Sequence, residues 1–266
     1  MGELHVDQSS RRPLGRTGLN LAPVGFGAFK IGRNEATKYE RSYDLPDDAA
    51  CQSLLDEVLE MGINLIDTAP AYGTSEERIG RLLGGRRDSF ILSTKVGETF
   101  EGGVGRFDFS SIAVDQSITR SLGRLRTDRL DLVFVHSDGA DQAIIDDGEV
   151  LETLARRREQ GDLRFIGFSG KTVAGHLSAI RTGLVDCLMV EYHALDDSQG
   201  EVIEAAEAAG IGVVVKKGLA SGQLDPAMAI PHCLRPTGVA SVVIGSLTAS
   251  HLRANLTIAR EAIAGT

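Results

Sequence analysis

At 266 residues the chain is long enough for two ordinary domains or for one α/β barrel, and a composition of 42% hydrophobic and 24% charged residues can fill a large globular core. A formal net charge of -9 argues against nucleic acid as a partner, and no apolar stretch approaches the roughly 20 residues of a membrane span. Three widely spaced cysteines, Cys51, Cys187 and Cys233, fit neither a disulfide framework nor a zinc site, and no metal is expected. The opening MGELHVDQSSRR lacks the apolar core of a secretory signal, so a cytoplasmic location is expected.

In chain order, residues 12–22 hold Gly15 and Gly18 between short extended pieces, and are expected to form a β-hairpin closing the floor of a barrel. A first strand covers residues 24–26. Residues 31–47, polar with Gly32 and Pro46, read as a long loop after it, followed by a helix over 49–61. Further strands are expected at 64–66, 89–94, 130–135, 164–167, 186–190, 212–215 and 241–244, with helices such as 111–125, 149–160 and 201–209 between them. Gly62, Gly161 and Gly210 sit just past helices, where a C-terminal cap wants a left-handed residue. Eight strands, each followed by a helix, close an α/β (β/α)8 TIM barrel as a single domain over residues 1–266. The competing arrangement is a doubly wound open sheet, but no GxGxxG follows the first strand. No linker, repeat or low-complexity segment interrupts the pattern.

In a barrel, chemistry belongs just beyond the C-terminal ends of the strands. Asp67 follows the apolar run Ile63-Asn64-Leu65-Ile66 and opens DTAPAYG, which carries Tyr72 in the next loop. Lys95 ends Ile91-Leu92-Ser93-Thr94-Lys95, and His136 ends Leu132-Val133-Phe134-Val135-His136. A lysine or histidine closing an apolar strand is awkward in a core, because burying an unpaired charge is costly. Asp67 can neutralise Lys95, and Lys95 can favour the phenolate of Tyr72, lowering a pKa that starts near 10. The expected result is a tyrosine able to donate a proton near neutral pH and a histidine free to orient a substrate oxygen. Taken singly, these residues also have ordinary readings, since a strand-end aspartate before a turn is more often a loop cap. Glu76 and Glu77 read as the start of a solvated helix, where acidic side chains suit the positive end of the dipole. Arg156, Arg157 and Arg158 read as an exposed basic face.

Asp67, Tyr72, Lys95 and His136, in this order and in these contexts, resemble the aldo-keto reductase family. The resemblance covers roughly residues 12–260 and includes LGRTGL at 14–19, GFGAFK at 25–30, NLIDTAPAYGTSEERIG at 64–80, STKVG at 93–97, RLRTDRLDLVFVH at 124–136, RFIGFSG at 164–170 and VVIGSLTASHLRANL at 242–256. It implies a barrel that binds NADPH in extended form, passing hydride to the carbonyl carbon of a small-molecule substrate. On that resemblance Tyr72 is the general acid, Lys95 its pKa modulator, Asp67 the partner of Lys95, and His136 the substrate-orienting group. Cofactor contacts are expected from Gly27, Ala28, Ser169, Lys216, Lys217, Gly218, Leu219, Ser221, Gly245, Ser246, His251 and Asn255.

The sequence departs from the family at the cofactor end. The asparagine usual beside Ser169 is Gly170, the glutamine ending the sixth strand is Met189, and Lys216 replaces a common stacking aromatic. Lys217, Gly218, Leu219 and Ser221 suit a pyrophosphate loop, where backbone donors and a cation meet phosphate. On a regular strand, Lys216 and Lys217 point to opposite sides, so one is expected to face the barrel and the other a helix. His251 stands where an arginine often grips the 2'-phosphate, and Ala254 where a glutamate is common; NADP is favoured and NAD remains open. With a short segment between strands seven and eight and no long loop before Thr266, an open pocket is expected, walled by Phe29 and by residues 97–106 with Phe100. Besides a carbonyl reductase or alcohol dehydrogenase, two alternatives stand: a nicotinamide-binding regulatory protein on the same fold, and a Schiff-base lyase.

Overall fold

The computed structural model describes residues 10–37 and 43–265. The chain starts with an antiparallel hairpin, β1 (Arg12–Pro13) and β2 (Asn20–Leu21). It is held under the barrel by the Arg12 guanidinium, which donates to the carbonyls of Leu234, Pro236 and Thr237 at 2.6, 3.0 and 3.2 Å. Gly15 turns this hairpin at φ +51, and a Cβ there would lie 2.3 Å from the backbone nitrogen of Gly212. Only glycine meets both demands.

Eight parallel strands then close the barrel: β3 (Val24–Gly27), β4 (Leu65–Asp67), β5 (Ile91–Val96), β8 (Leu130–His136), β9 (Leu163–Ser169), β10 (Cys187–Glu191), β11 (Gly212–Lys216) and β12 (Val239–Ile244), with β12 pairing back onto β3. Between β5 and β8 lies a second antiparallel hairpin, β6 (Glu98–Glu101) and β7 (Val104–Phe107). The helices are α1 (Asp48–Glu60), α2 (Ser75–Leu83), α3 (Ser111–Leu125), α4 (Asp141–Asp147), α5 (Glu149–Glu159), α6 (Val173–Arg181), α7 (Gly200–Ala208), α8 (Pro226–Leu234) and α9 (Ala249–Ala264). Side-chain caps start several of them: Asp47 accepts from Ala50 N at 2.8 Å, Thr172 from Gly175 N at 3.1 Å, and Asp225 from Ala227 N at 2.8 Å. Gly62, Gly161 and Gly210 follow their helices at φ +88, +89 and +70, as their positions require.

The core has two layers. Leu14, Leu19 and Leu21 of the hairpin plug the barrel interior against Leu65, Leu132, Phe134, Met189 and Val214. The outward faces of the strands pack under the helices through Phe26, Ile66, Leu92, Val133, Ile166, Leu188 and Val213. Among the described residues no helix is long and apolar enough to cross a membrane, and no group of three metal-ligating side chains is found.

At the level of the fold, the structure corrects the sequence reading in four places. Most strands run further toward the mouth than the apolar pattern, because the ladder is made by backbone groups and continues through polar residues: Asp67 opposes Gly27, Lys95 opposes Phe134, and His136 opposes Ser169. Residues 97–106, read as loop, contain most of the β6–β7 hairpin, turning through Gly102 and Gly103 at φ +57 and +81. Glu76 is fully buried rather than solvated, accepting from Thr94 Oγ1 at 2.7 Å, with Arg124 3.6 Å away. Of the three arginines at 156–158 only Arg156 is exposed, and each is paired with an aspartate: Asp115, Asp162 and Asp186 respectively. Of the long loop expected at 31–47, residues 38–42 lie outside the described residues, as do residues 1–9 of the expected signal-free start.

Candidate active site

Adjacent strands β4, β5 and β8 bring Asp67, Lys95 and His136 to one end of the barrel. Lys95 Nζ donates to both Asp67 carboxylate oxygens, at 2.8 and 2.7 Å, and to the Thr68 carbonyl at 2.9 Å. Asp67 also accepts from the Ser93 hydroxyl at 2.6 Å. Burial works against charge on Lys95, yet the attraction of Asp67 prevails and its pKa rises above the usual lysine value. Lys95 is therefore an ammonium at neutral pH.

Tyr72 is set over this pair by the turn between β4 and α2. Its backbone N–H donates to the Ala69 carbonyl at 2.9 Å, and its own carbonyl accepts from Ser75 N at 3.2 Å. Gly32 packs beneath that turn so tightly that a Cβ would lie 2.2 Å from the Tyr72 carbonyl oxygen. The Lys95 ammonium lies 4.7 Å from the centre of the Tyr72 ring, and His136 and Phe29 meet the ring edge-on at 6.4 and 5.1 Å. The expected lowering of the Tyr72 pKa does not hold in this state. Burial raises it, Lys95 pulls it down, and Asp67 pushes it up again, so it lies above 10. Burial is the main reason, and Asp67 offsets part of the pull of Lys95. Tyr72 is a protonated phenol across the neutral range.

His136 has a neighbour that strand patterning did not reveal. Glu98, at the base of the β6–β7 hairpin, places Oε2 2.7 Å from His136 Nδ1. Burial lowers the His136 pKa, and Lys95 and Lys216 add to this against the pull of Glu98. Glu98 is held below the ordinary glutamate value: burial opposes its charge, but contact with His136 and the charges of Arg33 and Lys171 outweigh it. The Gly102-Gly103 turn signal could have found this hairpin.

Tyr72, Lys95, His136 and Asp67 line one cavity of about 570 Å³, together with the expected cofactor residues Gly27, Ser169, Lys216, Lys217, Ser221 and Gly245. Phe29 is one wall as expected; Phe107 is another, whereas Phe100 lies under the Arg33 guanidinium, 3.4 Å from its ring centre. Lys216 and Lys217 both face the cavity, contrary to strand alternation. Lys217 lies past the end of β11 at φ +56, which turns it back toward Glu191, its ion-pair partner. Lys216 Nζ donates to Ser169 Oγ and to the Gly170 carbonyl, each at 2.9 Å, and burial followed by the charge of Lys217 lowers its pKa to about 7.

The other expected cofactor residues are not on the cavity wall. Ala28 is buried in the turn after β3, and Gly218 is wedged where a Cβ would lie 2.7 Å from Val242 Cγ1, with Leu219 beside it. Ser246 accepts from Thr248 N at 3.0 Å. His251 is exposed on the first turn of α9, and Asn255 is buried one turn later. The start of α9 has no side-chain cap from Thr248, leaving amide donors there without that partner.

A model of the aldo/keto reductase family matches residues 23–235. A solved structure from Pseudomonas aeruginosa, described as a proposed aldo-keto reductase, shares 44% identity over 96% of both chains, with a TM-score of 0.88. L-galactose dehydrogenase of Arabidopsis thaliana is 32% identical over 226 residues, 80% of this chain and 66% of its own length. The NADH-specific methylglyoxal reductase of Escherichia coli (strain K12) is 29% identical over 227 residues, 80% and 68% of the two chains. The match with the plant enzyme thus spans just under two thirds of that protein.

Proposed function

Because this chain belongs to the aldo/keto reductase family, a family of oxidoreductases, we propose that it interconverts a small carbonyl compound and its alcohol with a nicotinamide cofactor. The observation that carries this reading is the convergence of a buried ammonium, a protonated phenol and an imidazole on one cavity. When bound, the nicotinamide supplies the hydride that reaches the carbonyl carbon. Tyr72 gives its phenolic proton to the carbonyl oxygen, so that the product is an alcohol and the tyrosinate left behind regains its proton from solvent. Lys95 stabilises that tyrosinate at the moment it forms, and Asp67 keeps Lys95 charged. His136 contacts the substrate oxygen.

The residues present fit such a cofactor. Ser169 and Lys216 offer donors deep in the cavity for a carboxamide, and Lys217 and Ser221 offer a cation and a hydroxyl for phosphate. The amide donors at the start of α9, beside His251, suit a further phosphate group. NADPH is favoured on the family resemblance. NADH is the alternative, supported by histidine in place of the arginine and by an NADH-specific relative.

The test is fluorescence titration with NADPH and NADH, followed by turnover of small aldehydes, ketones and sugars by the wild type and Tyr72→Phe. The variant is expected to bind cofactor nearly as the wild type does and to lose a factor on the order of 10² to 10⁴ in rate. Wild-type turnover in Tyr72→Phe overturns the role of the tyrosine. Tight cofactor binding with no turnover of any carbonyl favours a nicotinamide-binding regulatory protein instead.

A further inference from the structure

We propose that a cleft on the floor of the barrel, at the opposite end from the candidate active site, binds a phosphate dianion between Arg11 and Arg164. The inference goes beyond the proposed function and does not depend on it. The cleft has a volume of about 330 Å³, at the small end of the roughly 300–1,000 Å³ of small-molecule sites. It lies where the starts of β5, β8 and β9 meet the β1–β2 hairpin, and residues 18–20 of that hairpin form part of its wall. Four arginines, Arg11, Arg87, Arg129 and Arg164, line it against two aspartates, Asp88 and Asp131, so two positive charges are left over. In a chain with a formal net charge of -9, that local excess runs against the average.

The hydrogen bonds locate the excess. Arg87 is fully engaged: it donates to Thr127 Oγ1 and to the carbonyls of Phe90 and Arg129 at 3.2, 3.0 and 3.1 Å, and pairs with Asp131 at 2.6 Å. Arg129 is tied to Asp88, with Asp128 3.6 Å away. Among the described residues, the one hydrogen bond of Arg164 goes to Asp131 at 3.1 Å, a carboxylate that already serves Arg87 and the Leu92 amide. Arg11 makes no hydrogen bond or ion pair among the described residues, and its Nε is buried without a partner. A buried donor left unpaired is costly, and a ligand with several acceptor oxygens removes that cost. A phosphate dianion supplies those oxygens, offsets both surplus charges, and matches the guanidinium fork in bidentate geometry. Inorganic phosphate and a phosphate monoester both present this group. Bound there, it links Arg11, beside β1, to Arg164 on β9, and so ties the plugging hairpin to the barrel wall.

Isothermal titration calorimetry of the full chain with inorganic phosphate and with glycerol phosphate, at constant ionic strength, tests the site. At least one of the two is expected to bind, and the tighter one identifies the source of the phosphate group. Arg11→Ala and Arg164→Gln are each expected to weaken that binding about tenfold or more, the scale of a lost hydrogen bond to a charged group. Lys217→Ala, at the mouth, is expected to leave it unchanged. Scanning calorimetry supplies a second reading. A ligand that binds only the folded chain raises the Tm by several degrees at about a hundredfold excess over Kd, and Arg11→Ala should lose most of that rise. Circular dichroism of both floor variants checks that they fold, and Arg164, 49% exposed, is the safer of the two to replace. Failure of both ligands to bind overturns the proposal. So does binding that Lys217→Ala removes and the floor variants keep, which would place the phosphate at the mouth. Malonate binding as tightly as phosphate overturns the choice of ligand, and an equal rise in Tm for the wild type and both floor variants reduces the effect to general salt stabilisation and overturns the site.

Discussion

Lys95 donates to the Asp67 carboxylate, whereas Lys216 donates to a hydroxyl and a backbone carbonyl in the same cavity. Burial opposes charge on both, but Asp67 outweighs it at Lys95, whereas at Lys216 the charge of Lys217 adds to it, so the pKa goes up for Lys95 and down to about 7 for Lys216. Folding therefore depends on the protonation of Lys216. Between about 7 and the ordinary 10.5 the unfolded chain binds more protons at this residue than the folded chain does, so its effect on stability improves as pH rises through that window. Below it, the full cost of charging this half-buried amine is present. Lys216→Met is expected to raise the Tm by several degrees near pH 7 and to lose that gain near pH 10, as scanning calorimetry across the range would show. A gain that does not vary with pH would mean that Lys216 is not charged against its surroundings. The same amine, half deprotonated near neutrality, is also the cavity lysine most open to Schiff-base formation. Lys95, fully charged beside Asp67, is the least, so the lyase alternative would have to act through Lys216.

At the scale of elements, the position of Tyr72 depends on how closely the turn before α2 can sit against the turn after β3. Gly32 is the point of contact, since an added Cβ would lie 2.2 Å from Tyr72 O and 2.3 Å from Ser75 N. Both neighbours are backbone, which cannot move aside as a side chain can. Gly32→Ala is expected to cost about 1–3 kcal/mol of stability and to shift the phenol, lowering kcat with little change in cofactor affinity. Gly80 provides the comparison. It meets α3 equally closely, 2.2 Å from Arg124 O for a Cβ, on the outside of the barrel beside the buried Glu76. Gly80→Ala is expected to lower stability by a similar amount while kcat, measured well below the Tm, stays at the wild-type value. Equal losses of kcat in both variants would show that general loosening, rather than displacement of Tyr72, is responsible.

At the scale of the whole molecule, the barrel separates a floor built for stability from a mouth that carries the polar groups. Leu14 is fully buried in the plug beneath the strands, and the Asp67–Lys95 pair lies at their opposite ends. Leu14→Ala is expected to cost about 2–5 kcal/mol in urea unfolding, with cofactor affinity unchanged. A change in affinity as large as the change in stability would mean that floor and mouth are mechanically coupled. This division also explains which parts of the sequence were readable. The eight strands stood out because their two buried faces demand apolar runs, and Gly62, Gly161 and Gly210 marked helix ends because few other residues take a left-handed cap. Asp67, Lys95 and His136 were legible for a related reason. They break those apolar runs at the same end of successive barrel strands, and although each has an ordinary reading taken singly, the set does not.

The sequence by itself determined the alternation of strands and helices, which is written in local periodicity, and the polar residues that end the apolar runs. Only the tertiary structure decided the charge states and the neighbours. Glu76 looked solvated until α2 was seen packed between β5 and α3. Lys216 and Lys217 looked opposed until the positive φ of Lys217 turned it back. Glu98 became a partner of His136 only when its hairpin was placed over the mouth. The Tyr72 pKa moved opposite to expectation because burial outweighs the pull of Lys95, which Asp67 partly offsets. Desolvation and the sum of nearby charges depend on all the elements around a group at once, and such a sum cannot be read along the chain.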